Sequence, residues 1–79
     1  MTSSLTLYST SHCHLCELAE ALVQKMCLQN SVKFNVVEIA DNPALLEQYG
    51  IKIPVLKRID NNKEISWPFT EMDIAQLIS

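Results

Sequence analysis

The sequence is poor in the residues and patterns that mark several large protein classes. It has a single glycine and no cluster of positive charge: the six lysines and arginines are scattered, only Lys57 and Arg58 are adjacent, and the net charge is −3. A surface that tracks a phosphate backbone is not written into such a chain, which argues against nucleic acid as a partner. No apolar run approaches the ~20 residues of a membrane span, and Met1-Thr2-Ser3-Ser4 lacks a basic segment followed by an apolar stretch, so neither a membrane anchor nor a secretory leader is expected. Three cysteines, an odd number with two of them in a C-x-x-C, do not resemble the disulfide framework of a small secreted domain. In a reducing compartment a disulfide is usually transient and catalytic, and a soluble protein of the cytoplasm is the expectation. Repeats, low-complexity tracts and linkers are absent as well. The 79 residues read as one domain, 1–79, of a size that buries only about 60–65% of its unfolded surface.

What the chain does contain is Cys13-His14-Leu15-Cys16, placed where a short apolar strand runs into a long amphipathic helix. A C-x-x-C beside a βαβ pattern reads as a redox motif. Residues three apart at a helix start lie on one face, close enough for a disulfide to open and close without moving the backbone. The first of them sits among unsatisfied N–H groups at the positive end of the helix dipole, which favours a thiolate. Cys13 is therefore expected to be the attacking sulfur and Cys16 the resolving one. His14, when protonated, would favour the Cys13 thiolate further.

The rest of the chain reads as support. Leu5-Thr6-Leu7-Tyr8 is a β-prone run ending in Ser9-Thr10-Ser11, a cluster of capping and turn residues. From Leu15 the apolar series Leu15, Leu18, Ala19, Leu22, Val23, Met26 and Cys27 predicts a helix of more than three turns, with Asn30-Ser31 ending it. Val32 to Ile39 predicts a second strand, parallel to the first with a right-handed crossover. Asp41-Asn42-Pro43 opens a short helix through Leu45, Leu46 and Tyr49, stopped by Gly50 as C′ residue. Val55 to Ile59 and Glu64 to Trp67, joined by Asp60-Asn61-Asn62-Lys63, predict a hairpin, and Thr70 caps a last helix through Ile78. Pro54 is tolerated only because it begins its strand. The order is βαβαββα, an α/β arrangement with a four-stranded mixed sheet flanked by helices.

This order, the C-x-x-C at the first strand-to-helix junction and Ile53-Pro54 before the third strand resemble the thioredoxin fold, and the small size resembles its glutaredoxin branch. Leu5-Thr6-Leu7-Tyr8, Cys13-His14-Leu15-Cys16, Tyr49-Gly50, Ile53-Pro54-Val55-Leu56 and Trp67-Pro68-Phe69 are similar to a group of short bacterial glutaredoxin-like proteins. The resemblance implies a thiol–disulfide oxidoreductase with Cys13 as nucleophile and Cys16 as resolving thiol. It also implies a cis-proline at Pro54 facing the sulfurs, and Ile53 offering its backbone N–H and C=O to a bound thiol peptide. Typical glutaredoxins carry a proline and an aromatic between the cysteines, a lysine before them, and a Gly-Gly turn before the last helix. Here His14-Leu15, Thr10-Ser11-His12 and Trp67-Pro68-Phe69 stand in those places.

The expected activity needs no cofactor; glutathione is a candidate reductant, and the partner is a thiol or disulfide substrate, protein or small molecule, met by a monomer. Two other readings stand beside it: an iron–sulfur or metal module using Cys13 and Cys16 across a dimer, and a redox-inactive partner-binding domain. His12 and His14 could add imidazoles to two thiolates, but no second Cys/His pair lies at suitable spacing, so no metal ligand is assigned. Cys27 completes the apolar stripe and reads as core, about 16 Å along the helix from Cys16. Trp67 and Phe69 divide evenly between core and partner patch.

Overall fold

The computed structural model describes residues 4–79; Met1, Thr2 and Ser3, read above as part of a segment without a leader, lie outside the described residues. The elements are β1 (Ser4–Ser9), α1 (His14–Asn30), β2 (Lys33–Glu38), α2 (Pro43–Tyr49), β3 (Val55–Arg58), β4 (Glu64–Ser66) and α3 (Glu71–Ile78). They form the expected βαβαββα order, and the four strands make one mixed sheet in the order β2-β1-β3-β4. β1 runs parallel to β2 and antiparallel to β3, which pairs with β4 as a hairpin.

Strand alternation distributes the core between two faces. Leu5, Leu7 and Leu56 point to the side covered by α1 and α3, where they meet Ala19, Val23, Met26, Cys27, Phe69, Ile74 and Leu77. Tyr8 and Val55 point to the other side, where α2 contributes Tyr49 and Leu45 to a smaller cluster with Ile39 and Ile53. Cys27 lies in the larger core, 3% exposed, as its place in the stripe predicted. Phe69 is buried and Trp67 half-buried against the same core, the two rings meeting edge to face with centroids 5.2 Å apart. Among the described residues, no helix is long and apolar enough to cross a membrane.

Three local expectations change. The stripe of α1 is rotated: Cys16, Ala19, Val23, Met26 and Cys27 are buried, whereas Leu15 and Leu18 are nearly half exposed. A 3.6-residue period fixes the width of an apolar face, and the position of its centre is decided by what packs against it. Second, the cap of α1 is Cys13 itself, not the Ser9-Thr10-Ser11 cluster. Third, Gly50 follows α2 in right-handed geometry (φ −52°, ψ −34°), so the left-handed C′ role fails. A glycine is required there for space, because a Cβ would run into the Leu46 carbonyl oxygen. The left-handed helix end occurs at Ser31 (φ 55°) after α1.

Other boundaries follow local chemistry. Asn42 caps α2 through its Oδ1, which accepts from the N–H groups of Ala44 and Leu45, with Pro43 in the first turn. Thr70 and Asp73 form a reciprocal capping box at α3. In the hairpin, Asn62 takes the left-handed conformation (φ 59°), and Asn61 Oδ1 accepts from the Lys63 N–H.

Candidate active site

β1 ends at Ser9, and the chain turns into α1 through Thr10–Cys13, with His12 in the left-handed region (φ 59°). Cys13 keeps extended geometry and its Sγ accepts from the Cys16 N–H at 3.2 Å, occupying one of the N–H groups that a helix start leaves without an internal partner. Its carbonyl accepts from the Glu17 N–H at 3.1 Å. The Cα atoms of Cys13 and Cys16 are 5.2 Å apart and the sulfurs are joined as a disulfide. Cys13 is half-buried, whereas Cys16 is only 4% exposed, so the first sulfur is the one an incoming group can reach.

Glu38, the last residue of β2, fixes the loop that delivers Cys13. Its Oε1 accepts from the Ser11 hydroxyl at 2.7 Å and the Ser11 N–H at 2.8 Å, and its Oε2 accepts from the Ala40 N–H at 3.2 Å. The Ser11 hydroxyl, followed by the Ala40 N–H, holds its carboxyl down to about 2. No sequence spacing signals this contact, because Ser11 and Glu38 are 27 residues apart and meet only once β1 and β2 are parallel.

Pro54 is buried and immediately precedes β3. Because Tyr8 pairs with Val55 in antiparallel register, Pro54 stands level with Ser9, at the end of the sheet from which the Cys13 loop departs. Its carbonyl accepts from the Trp67 N–H at 2.9 Å. The Ile53–Pro54 and Trp67–Pro68 peptide bonds are both cis, of which the resemblance implied only the first. Ile53 is half-buried and its N–H already donates to the Tyr49 carbonyl at 3.1 Å. That narrows the expected pairing with a thiol peptide to the Ile53 carbonyl. His14 opens α1 with an exposed ring whose Nδ1 lies 3.8 Å from Glu17 Oε2.

The concavity at the cysteines, about 190 Å³, is lined by Ser9, Thr10, Ser11, His12, Cys13, Cys16, Glu17 and Glu20. It is smaller than the ~300–1,000 Å³ pockets that enclose whole small molecules, and suits an approaching sulfur and its immediate substituents. Glu17 and Glu20 each stand one turn after a cysteine, a spacing visible in Cys13-His14-Leu15-Cys16-Glu17-Leu18-Ala19-Glu20. Cys27 belongs elsewhere, on the wall of a separate groove between α1 and β2, and burial pushes its thiol up. Among the described residues, no group of three or more His, Cys, Asp and Glu side chains is arranged to hold a metal ion.

The family model of the Glutaredoxin-like domain (DUF836) matches residues 4–79. The chain belongs to this glutaredoxin-like family. Among solved structures, target protein XcR50 from X. campestris is 33% identical, with 91% of each chain covered and a TM-score of 0.77. Protein Ne2328 from Nitrosomonas europaea is 25% identical over 100% of this chain and 94% of its own, at a TM-score of 0.85. Thioredoxin 1 from Thermosipho africanus, at 15% identity and a TM-score of 0.73 over 95% of this chain and 89% of its own, shares the fold. No curated protein matches the sequence. The glutaredoxin-like domain thus has a thioredoxin fold, with a cysteine pair within disulfide distance at the start of its first helix.

Proposed function

We propose that this glutaredoxin-like protein is a thiol–disulfide oxidoreductase. The observation that supports it is the asymmetry of the pair: a half-buried Cys13 capping α1 and a buried Cys16 one turn on, with Cα atoms 5.2 Å apart. The Cys13 thiolate attacks one sulfur of a substrate disulfide, the substrate S–S bond breaks, and the first substrate thiolate leaves. The Cys16 thiolate then attacks Cys13 Sγ, the mixed disulfide breaks, the second substrate thiolate leaves, and the Cys13–Cys16 disulfide forms. Two electrons pass from the dithiol to the substrate, both leaving thiolates take up protons, and an external thiol such as glutathione returns the pair to its reduced form. No cofactor takes part.

The substrate, a protein or small-molecule disulfide, lies beside Pro54 with the Ile53 carbonyl as an acceptor, and His14 acts as an electrostatic neighbour of Cys13. The protein works as a monomer in the cytoplasm. Cys16 resolves because it is held at an effective concentration that free thiols do not reach. The test is Cys16→Ser, which is expected to abolish turnover and to accumulate mixed disulfides on Cys13, seen by mass spectrometry even with millimolar-range glutathione. A Cys16→Ser protein that reduces glutathionylated substrates near the wild-type rate would refute the dithiol mechanism.

A further inference from the structure

We infer that Glu17 and Glu20 are specificity-determining residues that make the cysteine pair selective for thiols and disulfides carrying positive charge beside the sulfur. The inference rests on the oxidoreductase reading above and names its substrate class. Both carboxylates line the same concavity as Cys13 and Cys16. Each follows its cysteine by four residues, the spacing that makes side chains neighbours along one helix face. The Glu17 N–H donates to the Cys13 carbonyl, so this register holds from the cap onward. The residues lining the concavity include no lysine or arginine.

The topology deepens the asymmetry. β1 and β2 run parallel toward the cysteine end, which brings Glu38 there; its charge is engaged by Ser11 and Ala40. β3 runs the other way, so Lys57 and Arg58, with Lys63 in the hairpin that follows, stand at the far end, as does Lys33 at the start of β2. Lys25 lies twelve residues along α1 from Cys13, roughly 18 Å, and pairs with Glu71. Of the six lysines and arginines only Lys52, in the segment before Pro54, belongs to the cysteine end. His14 faces Glu17, and His12 lines the concavity. An anionic thiol meets two carboxylates there, neither of them in an ion pair with a lysine or arginine among the described residues, and a thiol bearing an ammonium or guanidinium group meets its counter-charges. A unit charge at about 7 Å in water changes encounter roughly threefold, and the two carboxylates act in the same direction.

In the reaction to be measured, a thiolate attacks Cys13 Sγ and expels Cys16 as thiolate. A second thiolate then attacks the substrate sulfur of the mixed disulfide, frees Cys13 and yields the small disulfide; the two protons of the thiols end on the cysteines. Reduction of the oxidised protein by cysteamine, 2-mercaptoethanol and 3-mercaptopropionate is followed by alkylation and mass spectrometry in wild type and in Glu17→Gln/Glu20→Gln. Comparing each thiol with itself across the two proteins cancels its intrinsic reactivity. The double variant is expected to lower the ratio of the cysteamine to the mercaptopropionate rate by roughly tenfold, with 2-mercaptoethanol, which attacks as a singly charged thiolate, changing by an amount between the two. About 0.5 M salt should compress the same ratio in wild type, a check that needs no variant. A Lys-Cys-Lys peptide run beside cysteamine tells the sources apart: the faster of the two marks a basic protein segment or a small aminothiol as the substrate. A ratio unchanged by both substitution and salt, with exchange still rapid, overturns this inference alone. If none of the thiols reduces the pair, the oxidoreductase reading falls and the inference falls with it.

Discussion

Among single residues, Glu38 does most to position the cysteine loop although it touches neither sulfur in the contacts described. It holds Ser11 from both the backbone and the hydroxyl, and its carboxyl is held down to about 2 against 4.5 for a free side chain. A folded-state value below the unfolded one gives stability that is present above the unfolded value and lost as pH falls through the folded one. Glu38→Gln is therefore expected to lower the melting temperature at pH 6–7, with the gap to wild type closing between about pH 4.5 and 2. Thermal melts across that range check it, and a gap that stays constant with acid would contradict the ionised staple. Cys27 offers the opposite case, a thiol with no part in exchange. Cys27→Ala is expected to cost about 1 kcal/mol through lost core contacts and to leave cycling of the Cys13–Cys16 pair intact, as denaturant melts and thiol titration would report.

Among elements, α3 depends on a cation that its own sequence lacks. Its last turn carries no basic residue, and Arg58 from β3 supplies the charge: one Nη donates to the carbonyls of Leu77, Ile78 and Ser79 at 2.9–3.0 Å, while the other side of the guanidinium is paired to Asp60. The pairing holds the Asp60 carboxyl below its usual range. Arg58→Ala should destabilise by about 2–3 kcal/mol, with α3 amides the first to lose protection from hydrogen exchange. Arg58→Lys should recover little, since an ammonium cannot serve the carbonyls and Asp60 at once. These long-range ties mark where sequence reading stops. The caps at Asn42 and Thr70, the turn at Asn62 and the order of all seven elements were legible because each is decided within four or five residues. The cysteine pair was legible for the same reason. The Ser11–Glu38 and Arg58–α3 contacts join residues about twenty or more apart, and only the finished sheet brings them together. The rotation of α1 that exposes Leu15 and Leu18 depends likewise on α3 and the sheet, not on the helix alone.

At the scale of the whole molecule, the two faces of the sheet are unequally supported. Two helices cover the face with the larger core, and the other rests on α2, a helix of seven residues, and a cluster centred on Ile39, Tyr49 and Val55. Tyr49 carries much of that side. Its ring stacks on Tyr8 of β1 with centroids 4.5 Å apart, its hydroxyl donates to Glu64 Oε2 of β4 at 2.9 Å, and its carbonyl accepts from Lys52 and Ile53 just before Pro54. A domain of this size has total stability on the order of 4–12 kcal/mol, so Tyr49→Ala, at about 3–5 kcal/mol, threatens the fold as a whole. Tyr49→Phe isolates the hydroxyl and should cost about 1 kcal/mol at neutral pH. Burial, then the hydrogen bond to Glu64 and the repulsion from its carboxylate, push the phenol up to about 12 from 10. A raised folded-state value means that the stabilisation is complete below pH 10 and is lost as pH rises through about 12. Wild type should therefore lose more melting temperature than Tyr49→Phe between pH 9.5 and 12, and the two curves should converge at the alkaline end. Parallel curves over that range would mean that the hydroxyl is not held protonated between α2 and β4, and that the smaller core depends on the Tyr8–Tyr49 stack alone.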